Sequence, residues 1–83
     1  MTTDELIERY VESSSHYPGL DEARLRRYGV PVWALVGYLG VVSGDEVQVA
    51  KDYDVPIEAV EAALEYYRRH RSVIDARIAA NVA

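Results

Sequence analysis

The chain has 83 residues, no cysteine, and 14 acidic against 9 basic side chains, for a net charge of −5. That length gives one domain with a thin core, burying somewhat over ~60% of its unfolded surface, and the missing cysteine excludes disulfides and thiolate metal sites as props. Association with a second subunit is the support that remains for so small a scaffold, so a homodimer is expected.

The first ten residues, MTTDELIERY, are acidic and amphipathic, without the basic and apolar stretches of a secretory signal. With the absent cysteine, this fits a cytoplasmic protein. Thr2 followed by Glu5 forms a capping box, and the helix it starts, over residues 1–13, places Leu6, Ile7, Tyr10 and Val11 on one face. The SSSHYPG stretch ends it as a loop. Residues 14–29 then read as loop or extended chain, in which LDEARLRRYG allows either one helical turn or an extended segment closed by Gly29.

Residues 28–44, YGVPVWALVGYLGVVSG, carry no charge but are short for a membrane span and broken by Pro31, Gly37, Gly40 and Gly44. A buried helix is the better reading, and no membrane contact is expected. Pro31 suits its first position. Val32, Leu35, Val36 and Leu39 form its buried stripe, with Trp33 at the shoulder. Gly37 and Gly40, three apart, leave a nearly bare face for another helix. No Gly-Lys-Ser/Thr follows, which excludes a phosphate-binding loop.

Ser43-Gly44-Asp45-Glu46 reads as a second capping box, opening a helix to about Tyr53 that buries Val47, Val49 and Ala50. Pro56 opens a final helix with no breaker before the C-terminus, which would reach roughly 35–40 Å. Ile57, Val60, Leu64, Tyr67, Arg71, Ile74, Ile78 and Asn81 recur along it at intervals of three and four, a heptad-like seam. Val73, Ile74, Ile78 and Val82 lie where the domain's own core should no longer cover all of them, and Tyr67, Ile74, Ile78 and Val82 are the candidate dimer or partner seam. The N-terminal helix folding back over part of it is the alternative.

Within residues 47–70 the spacing is that of a helix-turn-helix. Ala50 is the small crossing residue, Asp54 the turn residue, Val55 the plug, and Val60 and Leu64 the inward pair. The expected fold is therefore all-α. It is a small homeodomain-like three-helix bundle over residues 30–66, with an extra N-terminal helix and a long C-terminal extension over 67–83, in one domain spanning 1–83.

Shape does not settle function. The solvent-facing positions of the second helix should be Glu58, Ala59, Glu61, Ala62 and Glu65, and glutamate repels phosphate while reading only cytosine amino groups. Promoter DNA binding by the isolated chain should therefore be weak. Basic residues cluster in Arg24-Arg26-Arg27 and Arg68-Arg69-His70-Arg71, unlike the broad basic face of a general nucleic-acid binder. Arg68, Arg69, Arg71 and Arg77 are candidate phosphate or partner contacts, unless Glu65–Arg69 and Arg71–Asp75 pair as surface salt bridges. No converging nucleophile, base or metal set is visible. His16 sits in a polar loop, and His70 among arginines that would repel a metal cation. No catalysis, cofactor or small-molecule substrate is expected.

GVPVWALVGYL followed by VAKDYDVPIEAVEAALEYYRRHRSVIDARIAAN resembles the small prokaryotic proteins catalogued as domain of unknown function four-three-three, antitoxin-like helix-turn-helix proteins of the VapB kind. The resemblance covers roughly residues 29–81. It rests on Pro31-Val32-Trp33 at the start of a helix, Asp52-Tyr53 before the turn, and the run from Ala63 to Ile78. Ahead of the helix this chain has Arg27-Tyr28-Gly29-Val30-Pro31 where the family carries a Gly-Thr-Arg-Ile-Pro hairpin. The resemblance implies a toxin–antitoxin setting with a PIN-type ribonuclease as partner, whose acidic metal site a docked segment neutralises. Arg68, Arg69, Arg71 and Arg77 are the arginines available for that role. It also implies promoter binding as a dimer in transcription regulation. A DNA-binding transcriptional regulator and a non-catalytic homodimeric adaptor are the competing expectations.

Overall fold

A computed structural model of the protein describes residues 2–12 and 19–82, without the side chain of Val82. Helix α1 (Thr3–Tyr10) is capped by Thr2, whose hydroxyl oxygen accepts from the Glu5 amide at 3.2 Å. It leads straight into β1 (Val11–Glu12), which pairs antiparallel with β2 (Arg24–Leu25). Both alternatives for the ambiguous segment are realised in turn. Leu20–Glu22 make one 3-10 turn, and β2 then closes on a tight hairpin. In that hairpin the Gly29 amide donates to the Leu25 carbonyl and the Leu25 amide to the Val30 carbonyl, and Arg24 bridges Pro31. Gly29, at φ +68°, takes the left-handed conformation the turn requires.

Helix α2 (Val32–Val41) begins one residue later than the sequence suggests, because Pro31 serves as its cap. Val32 and Leu35 are fully buried, and Val36, Leu39 and Trp33 pack at the edge of the core. Helix α3 (Glu46–Tyr53) is capped by Asp45, which accepts from the Gln48 amide at 3.1 Å. Ser43 is therefore not the cap: it and Gly44 take left-handed backbone in the turn ahead of it. Val49 is the buried residue of α3, Ala50 is half-buried, and Val47 points outward with 71% of its surface exposed.

Helix α4 (Ile57–Arg69) is the centre of the molecule, with α1, α2 and α3 all packed against it. The expected continuous terminal helix does not exist. Backbone geometry at His70 (φ −132°, ψ 39°) breaks it, and α5 (Arg71–Val82) turns back onto α2 and the 3-10 turn. No proline or glycine marks the break; packing does. A straight helix would leave Ile74 in water, whereas the folded-back helix buries it completely. That burial is worth about 1.5–3 kcal/mol, against roughly 1 kcal/mol for a backbone hydrogen bond lost at the break. No described helix is long and apolar enough to cross a membrane.

Candidate functional site

The five helix-turn-helix positions lie at the α3–α4 junction and along α4, with Ala50 half-buried. Asp54 is left-handed (φ 55°, ψ 50°) and ends α3, and the Val55 amide reaches back to the Ala50 carbonyl at 3.0 Å. This is the bond pattern of a Schellman cap with aspartate in the place glycine usually takes. Val55 and Leu64 are each 8% exposed, and Val60 is fully buried.

The face that would read a groove is different. Ala59 and Ala62, expected in solvent, are both 0% exposed, as is Ala63. Helix α1 lies along α4, and β1 also touches it. The sequence hides this because alanine is neutral in a periodicity count. Ala59, Ala63 and Tyr66 make a second apolar stripe beside Val60, Leu64 and Tyr67. Glu58, Glu61, Glu65 and Arg68, spaced three, four and three, are what remains as the polar stripe. A cleft of about 430 Å³ between α1, α3 and α4 is lined by Thr3, Leu6, Leu64, three glutamates (Glu46, Glu61, Glu65) and one cation (Arg68), an acidic balance that disfavours a phosphate backbone.

The four candidate arginines are engaged within the chain. Arg68 pairs with Glu65, and Arg69 with Asp4 of α1 while also donating to the Thr3 hydroxyl at 3.0 Å. Arg71 lies over the Tyr67 ring at 5.6 Å. Arg77 pairs with both Glu22 and Asp21 and covers the Trp33 ring at 5.1 Å. The Glu65–Arg69 and Arg71–Asp75 pairs suggested by spacing do not form in the structure: Arg69 reaches α1 instead, and Asp75 accepts from the Tyr67 hydroxyl at 2.7 Å. Hydrogen bonds to Glu22 and Asp21 push the Arg77 guanidinium above its ordinary pKa. The hydrogen bond to Asp75 does the same for the Tyr67 hydroxyl.

The candidate seam is dispersed. Ile74 is buried by its own chain, Tyr67 and Ile78 are half-buried, and Val82's side chain lies outside what is described. The bare surface that suggested a dimer is thus covered at Ile74. Gly37 does face α5, with Ile78 placed 3.9 Å from where a Cβ would sit, while Gly40 is open to solvent. His16 falls within residues 13–18, outside the described residues.

Two concave features escaped the spacing analysis. One is an apolar groove of about 360 Å³ between α2 and α5, lined among others by Trp33, Gly37, Tyr38, Tyr53 and Ile78, with Val41 at its edge 75% exposed. Tyr38 and Tyr53 meet edge to face at 5.5 Å. Tyr38 also donates to Asp52, which Gln48 holds from its other oxygen at 2.7 Å. The Asp52 hydrogen bond, ahead of burial, raises the Tyr38 pKa above its usual value near 10.0. The other is a basic pocket of about 220 Å³ lined by Arg9, Tyr10, Arg26, Arg27, Tyr28 and Pro56. The run Arg24-Arg26-Arg27 signalled half of it, but Arg9 stands too far along the chain for spacing to connect.

Among the described residues no group of three or more His, Asp or Glu side chains is arranged to hold a metal ion. No family profile, curated protein or solved structure matches the chain significantly.

Proposed function

We propose that this chain is a non-catalytic, antitoxin-like binding protein that neutralises a PIN-type ribonuclease and uses its helix-turn-helix as a scaffold. The observation that carries the scaffold part is the closure of α4: Ala59 and Ala62 are fully buried beneath the chain's own elements, and the remaining edge presents Glu58, Glu61 and Glu65. An α4 buried along this flank and edged by glutamates favours a scaffold role over groove reading. The toxin part rests on the sequence resemblance over residues 29–81. In this reading Arg71, which meets no carboxylate among the described residues, is the tail arginine readiest to enter an acidic site.

Co-expression with the product of the adjacent gene tests it. A stoichiometric complex with suppressed ribonuclease activity, weakened by Arg71→Ala, is the expected result. Tight binding of the isolated chain to its own promoter at physiological salt, with no ribonuclease in the complex, would overturn it in favour of a transcriptional regulator. The adaptor reading is favoured by one feature, the apolar groove between α2 and α5. It predicts a dimer in sedimentation that Val41→Glu dissociates.

A further inference from the structure

Six of the eight arginines in this acidic chain form two contrasting sets. Arg68, Arg69 and Arg77 each meet a carboxylate. Arg9, Arg26 and Arg27 form no ion pair with any described residue, although the chain carries 14 carboxylates against 9 basic side chains. Instead they converge on one concavity of about 220 Å³. Like charges gathered without neutralisation raise the local positive potential, and the cost is recovered when an anion enters.

The pocket is fixed by main-chain bonds. The Arg26 amide donates to the Tyr10 carbonyl at 2.8 Å, and its Nε–H to the Glu8 carbonyl at 3.0 Å, tying the hairpin turn to the end of α1. Arg27 sits at the turn with φ +71°, a conformation a non-glycine residue adopts at a cost. Pro56, which also lines the pocket, is the N-cap of α4 and supplies no side-chain cap. The positive end of the α4 dipole therefore stands beside the guanidinium groups. Tyr10 and Tyr28 add hydroxyl donors and aromatic surface.

We propose that this pocket binds a small ligand carrying a phosphate monoester, held by Arg9, Arg26 and Arg27. Guanidinium groups match phosphate oxygens in pairs of parallel hydrogen bonds. The cavity also leaves room beyond the phosphate for a sugar or a planar group against the tyrosines. The site is separate from the proposed toxin contact and does not depend on that reading.

Amide NMR titration of the full chain with inorganic phosphate, ribose 5-phosphate and adenosine monophosphate tests this, with adenosine as the uncharged control. Saturable shifts at Arg9, Tyr10 and Arg26 to Tyr28 with the phosphates, and none with adenosine, are expected. Equal affinity for all three phosphates makes the phosphate the whole determinant, and tighter adenosine monophosphate adds ring contact; both support the site. Arg27→Gly is the key variant, because it removes a cation while relieving the left-handed strain. It should keep or raise the thermal midpoint and weaken phosphate binding about tenfold or more. Arg9→Gln should weaken it similarly. Shifts scattered over the molecule, binding unchanged in both variants, or a response to duplex DNA alone would overturn the proposal.

Discussion

Helices α4 and α5 follow one another with a single residue between them, yet one is packed on almost every side and the other along one stripe. In α4, six residues from Ala59 to Tyr66 are buried, and Tyr66 crosses the molecule to donate to the Leu20 carbonyl at 2.6 Å. Among the described side chains of α5 only Ile74 is fully buried, and Arg77 ties the helix to the 3-10 turn through Asp21 and Glu22. A continuous seam of threes and fours joins the two in the sequence. The structure cuts that seam at His70, which stacks against Tyr66 with ring centroids 4.6 Å apart. Periodicity reports which residues share a face; it does not report whether one straight helix is the cheapest way to bury them.

The sharpest way to break this comparison is Ala62→Arg. On an open recognition helix such a change would alter stability by less than about 0.5 kcal/mol. At this fully buried position it forces a charged side chain into a sealed contact, and we expect a loss of more than about 3 kcal/mol in urea denaturation. That is a large share of the ~4–12 kcal/mol available to a domain of this size. Ile74→Ala asks the same of α5. A cavity at a fully buried site should cost about 2–4 kcal/mol; a cost near zero would mean that α5 does not dock.

Arg77→Gln probes the polar half of the α5 contact. Two charge-assisted hydrogen bonds are lost, but the groups are about 30% exposed, so the expected cost is about 1–2 kcal/mol. The emission of Trp33, the sole tryptophan and covered by this guanidinium, should change with it. Asp54→Gly is the smallest effect and has the opposite sign. It relieves the left-handed backbone between α3 and α4 and should raise stability by about 0.5–1 kcal/mol.

Much of the fold was legible in the sequence for local reasons. Thr2 and Pro31 mark helix starts through capping and ring geometry, and Asp54-Val55 marks the turn through left-handed backbone and a plug. What was not legible depends on distant partners. Nothing near His70 announces a break whose outcome is the burial of Ile74 as α5 packs on α2 and the 3-10 turn. Ala59 and Ala62 give no hint of being buried by the chain's own elements, because a methyl group serves equally in water and in a close helix crossing. The basic pocket needed the hairpin to bring Arg26 and Arg27 to Arg9, 17 positions away from the nearer of them.

Closure of α4 by α1 is the central claim, and amide hydrogen exchange tests it most directly. An eight-residue helix such as α1 is not stable alone in water, so protection of its amides can come only from docking. The account predicts that the amides of Ile7 to Tyr10 exchange as slowly as those of Ala62 to Tyr66, through the same global opening. Exchange of the α1 amides at near-unprotected rates while α4 stays protected would contradict it, and would return Ala59 and Ala62 to an accessible face.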